Sequence, residues 1–155
     1  MMDFNIVPME ERHVPQVAEL EKICFSDPWS ENSVGGELKN PLSRWLIAER
    51  EGQVLGYVGS QTAAGESDIL NIAVRPDCRK MGVAKALLLR LMENLRSAGS
   101  EALTLEVRAS NFAAIALYEK MGFSTVGLRP NYYFHPREDA KIMRKELMQH
   151  ENTGH

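Results

Sequence analysis

Residues 68–91, DILNIAVRPDCRKMGVAKALLLRL, change their hydrophobic rhythm across one short turn. Asp68–Val74 is almost uniformly apolar, the pattern of a strand buried on both faces. Arg75, Pro76 and Asp77 end it. From Met81 onward Ala84, Leu87, Leu88, Leu91 and Leu95 recur at helical spacing, and Gly99 suits the helix stop. A buried strand feeding a long amphipathic helix belongs to a fold that interleaves the two kinds of element.

The rest of the chain repeats that interleaving. Residues 4–7, FNIV, read as a first strand. Pro15 fits the first turn of a helix, where its missing N–H is harmless. Val14, Val17, Ala18, Glu21 and Cys24 then share neighbouring positions on that helix. Ser30 suits the cap of a second, short helix that Gly35 and Gly36 weaken. RWLIAER and QVLGYVGSQT flank Glu51-Gly52, a two-residue turn between alternating runs and hence a hairpin. ALTLEVRA is another strand, residues 112–121 another helix closed by Gly122, and FSTVG and DAKIMRKEL complete the pattern with short β segments. The order β-α-α-β-β-β-α-β-α-β-β predicts an α/β fold on a mixed central sheet, antiparallel in its N-terminal half, with helices on both faces. A single domain is expected over 1–147, with a disordered tail at 148–155.

The 155-residue length supports one self-stabilising core. A formal net charge of −3 argues against bulk nucleic-acid binding. No apolar run approaches the ~20 residues of a membrane span, and MMDFNIVPMEER lacks the order of a signal peptide. Cys24 and Cys78 lie far apart without metal-ligand spacing, so neither a disulfide framework nor a metal site is expected, and a cytoplasmic location fits.

The turn at 75–85 concentrates Arg79, Lys80 and Lys85 around Gly82, at the start of a helix. Cations are unfavourable at the positive end of a helix dipole, and the first N–H groups there have no partners. A bound anion resolves both problems, while Gly82 and Ala84 let it approach the backbone. The spacing is neither that of a dinucleotide fingerprint nor that of a P-loop. Solvated Arg and Lys at an ordinary helix start are the alternative.

Residues 79–84, RKMGVA, resemble the acyl-CoA pyrophosphate motif [RQ]-x-x-G-x-[GA] of the GNAT acetyltransferase superfamily, with Ala84 where glycine is commoner. NIAV before it and NFAAIALYEKMGF after it sit where that superfamily has its other cofactor-side elements. The resemblance implies a GNAT-type fold and acetyl-CoA as co-substrate. It assigns cofactor contacts to the backbone amides of residues 80–85 (Lys80, Met81, Gly82, Val83, Ala84, Lys85) together with Arg79. Ile72, Ala73 and Val74 would run along the pantetheine arm, and Asn111 would lie near the reactive end.

Acetylating an amine requires the amine to lose a proton and the leaving thiolate to gain one. Glu106 faces away from Leu103, Leu105 and Val107, near the end of its strand. Asn111 and Tyr118 are about two helical turns apart, which puts them on one face. A solvated Glu106 paired with Arg108, and a merely packed Tyr118, are the alternatives from the residues alone. The resemblance makes Glu106 the general base, acting through water, and Tyr118 the general acid.

LEVRASN, AIALYEKMGF, RPNYYFHPREDAKIM and the PWS of CFSDPWS resemble the RimI-type subgroup in particular. Its members acetylate the N-terminal alanine of a small-subunit ribosomal protein. That implies an N-terminal peptide as partner, with Trp29, Arg108, Tyr132 and Tyr133 as candidates to line its site; nothing in the chain asks for an oligomer. An α-amine suits the chemistry, because its pKa near 8 makes deprotonation at pH 7 cheaper by roughly 3 kcal/mol than for lysine. Another N-terminus, a lysine, a small amine, or a non-catalytic acyl-CoA-binding role are the competing readings.

Overall fold

The computed structural model describes residues 3–148. The expected tail at 148–155 lies outside these residues from 149 on. Seven strands and four helices follow the expected order: β1 Asn5–Pro8, α1 Val14–Cys24, α2 Glu31–Glu37, β2 Ser43–Arg50, β3 Gln53–Ala63, β4 Glu66–Val74, α3 Val83–Ser97, β5 Ala102–Arg108, α4 Phe112–Lys120, β6 Ser124–Phe134 and β7 Arg137–Glu146. The strands form a mixed sheet in the order β1-β2-β3-β4-β5-β7-β6. The chain divides into two compact units, Met1–Thr62 with Ile69–Leu91, and Ala63–Asp68 with Met92–His155.

In the first unit, β1 and β2 pair antiparallel, as do β2 and β3. The β2–β3 turn has positive φ at both Glu51 and Gly52 (51° and 81°), as the twist of a tight hairpin requires. Gly59 gives Trp45 its place: a Cβ there would sit 2.4 Å from the indole. Trp45, Ile47, Val54 and Tyr57 form a core with Val14, Val17 and Leu20 of α1 and Val34 of α2. Ser30 caps α2 by accepting from the Ser33 N–H at 3.1 Å, which offsets the weakness of Gly35-Gly36.

One expectation fails here. β4 is not buried on both faces, since Leu70, Asn71 and Ile72 are only half-buried. Asn71 is a polar residue within the apolar run, and its amide is taken up by Glu21 of α1 at 2.7 Å.

In the second unit, β4 pairs parallel with β5 at Glu66–Ala102, Ser67–Leu103 and Asp68–Thr104. β5 and β7 pair antiparallel, as do β7 and β6. β6 runs well past the short segment expected around Gly127. Pro130 lacks an N–H and Asn131 has φ 54°, so the ladder breaks between Arg129 and Tyr133 and then resumes at Tyr133↔Glu138. A bulge absorbs what the sequence alone presents as a strand end.

Candidate active site

In the first unit the turn after β4 carries a short 3-10 segment, Pro76–Cys78, then Lys80 at φ 66° and Gly82 at φ 81°. A Cβ on Gly82 would meet no atom within 4 Å. Glycine is therefore required by conformation, not by crowding, and the surface it presents is open. The first helical bond of α3 runs from the Ala86 N–H to the Gly82 carbonyl at 3.0 Å, so the amides of Val83, Ala84 and Lys85 precede the ladder. Arg79 reaches the sulfur of Cys24 at 3.7 Å. Burial pushes the Cys24 thiol above its ordinary pKa, against the pull of Arg79. Among the described residues neither Lys80 nor Lys85 has a carboxylate partner. The turn thus combines free amides, uncompensated cations and an exposed backbone.

Ile72 is half-buried in this unit, with Ala73 and Val74 buried. Trp29 is also half-buried. Its N–H donates to Glu21 Oε1 at 2.8 Å, and its ring meets Trp45 edge-on at 5.5 Å.

The second unit assembles a different set. Glu106 alternates outward from buried Leu105 and Val107 as its strand position dictates. It pairs with Arg129 of β6, Nε to Oε2, at 3.3 Å. Arg108 is not its partner. That guanidinium donates to Glu138 Oε1 at 3.3 Å and to the carbonyls of Pro136 (2.9 Å) and His135 (3.3 Å). It also lies 4.3 Å over the Tyr133 ring. The β6–β7 hairpin brings acceptors and an aromatic face to Arg108, a juxtaposition that side-chain alternation along β5 alone does not reveal.

Asn111 stands at the start of the helix that carries Tyr118. It is the N-cap of α4, its Oδ1 accepting from the Ala114 N–H at 3.2 Å, with non-helical backbone. A short amide that can reach back to a free N–H prefers this position. Tyr118 is buried, tilted against Phe123 with centroids 5.7 Å apart. Burial, reinforced by Tyr133, pushes its phenol up to about 12. The Tyr133 phenol is likewise pushed up to about 12 by burial, then by Tyr132 and the charge of Glu106, with Arg108 opposing. Tyr133 therefore interacts electrostatically with both Glu106 and Tyr118. Tyr132 is exposed, edge-on to Tyr133 at 5.0 Å, with Arg129 5.7 Å from its ring.

Three residues escaped sequence reasoning. Glu138 meets Arg108 through β5–β7 pairing, and Arg129 meets Glu106 because β7 joins β6 to β5. Glu21 left a readable signal, a carboxylate on the apolar face of α1.

The model of the acetyltransferase (GNAT) family matches residues 14–123. The chain is 38% identical over 143 residues to the [ribosomal protein bS18]-alanine N-acetyltransferase of Escherichia coli K12, covering 90% of this chain and 95% of that one. It is 33% identical to the enzyme of the same name from Haemophilus ducreyi, covering 86% and 93%. The crystal structure of the ribosomal-protein-S18-alanine N-acetyltransferase from Escherichia coli superposes with a TM-score of 0.88 at 35% identity, over 97% and 98% of the two chains. The chain belongs to the GNAT acetyltransferase family and has its fold.

Proposed function

We propose that this chain, acting as one catalytic domain over 1–147, transfers acetyl from acetyl-CoA to the N-terminal amine of a peptide. The proposed acceptor is the N-terminal alanine of a small-subunit ribosomal protein. The observation that carries the acyl-CoA part is the turn at 79–85, where positive-φ Gly82, the amides of residues 83–85 that precede the helix ladder, and Lys80 and Lys85, without a carboxylate partner among the described residues, fit a pyrophosphate. Asn111 and the strand residues Ile72–Val74 are the further contacts proposed from the family resemblance. Acetyl-CoA supplies an activated acetyl thioester. The names of the similar bacterial enzymes support the choice of acceptor.

In this reading Glu106 takes a proton from the acceptor ammonium through a water molecule. Its Oε1 is available because Arg129 contacts Oε2. As the nitrogen bonds to the acetyl carbon and the C–S bond breaks, Tyr118 hands its phenolic proton to the departing sulfur, and the second proton that the nitrogen sheds on becoming an amide restores the phenol. With its pKa raised to about 12, Tyr118 stays protonated throughout the physiological range and is always loaded as a donor. Trp29, Arg108, Tyr132 and Tyr133 are proposed to line the acceptor's path, Arg108 acting through the hairpin it holds.

The test is mass spectrometry of peptides after incubation with acetyl-CoA. A peptide beginning Ala-Arg-Tyr should gain one acetyl group at its α-amine, and the same peptide with a blocked N-terminus should gain none. Acetylation of internal lysines or polyamines, with the free N-terminus untouched, would sink the assignment.

A further inference from the structure

Glu21 is a carboxylate with no solvent exposure. Among the described residues no cation pairs with it. It accepts instead from three neutral donors on three separate segments: the Trp29 N–H in the turn after α1 (2.8 Å, to Oε1), Asn71 Nδ2 on β4 (2.7 Å, to Oε2) and the Tyr57 hydroxyl on β3 (to Oε2). A buried charge without a counter-ion is a poor way to stabilise a core, and an apolar residue of similar volume generally does better. What the carboxylate does supply is a geometry that no other side chain can. It accepts through two oxygens at once, whereas a glutamine turns two N–H groups towards the donors.

The consequence falls on Trp29. Its backbone is held by Glu21, and its ring rests edge-on against Trp45, which stacks on Tyr57 at 5.8 Å. Tyr57 in turn donates to the same carboxylate. Trp29 is thus fixed at both backbone and ring while remaining half-exposed, the state expected of a preset recognition surface.

We propose that Glu21 is a positioning residue for the acceptor: it presets Trp29 as a rigid wall against which the N-terminal residue of the peptide docks. This rests on the peptide-acceptor reading above, and the two fail separately. If the wild type acetylates no peptide, the functional reading falls. If it does, the comparison of variants decides the role of Glu21.

Glu21→Gln should raise the acceptor KM about tenfold while kcat and the acetyl-CoA KM stay within about twofold. Tyr57→Phe removes one donor from Oε2 and leaves the Trp29 contact on Oε1, so its acceptor KM should stay near wild type. A lowered melting temperature with both KM values unchanged in Glu21→Gln would overturn the proposal, as would equal rises in both. So would a rise in Tyr57→Phe matching that of Glu21→Gln. If Glu21→Gln does not fold, Glu21→Asp withdraws the carboxylate from Trp29 by one methylene, and an unchanged acceptor KM there overturns the proposal. Hydrogen exchange at the Trp29 amide needs no acceptor; it should accelerate in the position-21 variant used, and unchanged protection would also overturn the clamp.

Discussion

The turn at 75–85, built around Gly82, and the aromatic β6–β7 hairpin at 129–139 both gather charge, but they treat it in opposite ways. At the hairpin two arginines find carboxylates: Arg129 meets Glu106 of β5 at 3.3 Å, and Arg108 of β5 meets Glu138 at 3.3 Å. Glu138 also accepts the Ser110 N–H at 2.6 Å, and Asp139 accepts that of Asn131 at 2.8 Å. Its charges hold backbone in place. In the turn Arg75 pairs with Asp77 at 2.8 Å, but Lys80 and Lys85 have no carboxylate partner among the described residues. Charge left uncompensated beside free amides is a receptor for an anion, whereas matched charge is scaffolding. The same residue types therefore point to ligand binding in one region and to positioning in the other.

The largest effect should come from Tyr118, whose phenol Tyr133 of the hairpin influences electrostatically. Tyr118→Phe removes the proposed proton donor and keeps the ring against Phe123, so kcat should fall by about 10²–10³-fold with acetyl-CoA affinity within about twofold. Steady-state kinetics and calorimetric titration check both halves. Unchanged turnover would reduce Tyr118 to core packing.

Glu106→Gln should cost about 10²-fold at pH 7, and the gap should narrow above about pH 8 as the α-amine deprotonates unaided. A pH–rate series on both enzymes is the measurement. A deficit that stays constant with pH would leave Glu106 as an anchor for Arg129 and remove it from proton transfer.

Gly82→Val tests the receptor side of the contrast. A β-branched residue at φ 81° is strained whatever space surrounds it. Acetyl-CoA should bind about tenfold or more weakly, since the turn must shift to relieve that strain. Replacing Lys80 and Lys85 together by glutamine should weaken binding less and flatten its salt dependence. Equal salt dependence in the two proteins would mean that these cations do not face the phosphate.

How far the sequence carries this contrast depends on the range of each interaction. The turn is local. Gly82, the cations and the helix that follows all lie within a few residues, so their chemistry could be read directly, as could the Ser30 cap and the Glu51-Gly52 hairpin. The positioning network is not local. Arg108 and Glu138 are matched through β5–β7 pairing, and Arg129 reaches Glu106 only because β7 joins β6 to β5. Only a bulge, which spacing does not reveal, carries the strand on to Tyr133. Spacing puts Asn111 two turns before Tyr118, but its role as the cap of α4 depends on a side-chain contact that spacing does not show. Glu21 stood in plain view among Val14, Val17 and Ala18, but its three acceptor contacts needed β3 and β4 to be folded beside it.

The smallest effect sharpens the scaffolding side. Arg108 favours the ionised form of Tyr133, opposing the burial that raises its pKa to about 12. Arg108→Met should therefore push that pKa higher still, read from the pH dependence of the Tyr133 Cζ resonance. A raised phenol pKa contributes stability that is whole below the unfolded value near 10 and is lost as pH rises through the folded one. The variant should thus begin to lose stability at the same alkaline pH as wild type but lose more in total, over a window that reaches higher. Its acid limb should barely move. Glu138 is held below the usual carboxylate range first by the hydrogen bond from Ser110 and only then by Arg108. Its stabilising contribution, present above the unfolded carboxylate pKa and lost as pH falls through the lowered one, therefore survives the substitution in large part. If instead the acid limb shifted and Tyr133 did not, Arg108 would be an ordinary ion-pair partner of Glu138, and its place over the Tyr133 ring would have no electrostatic consequence.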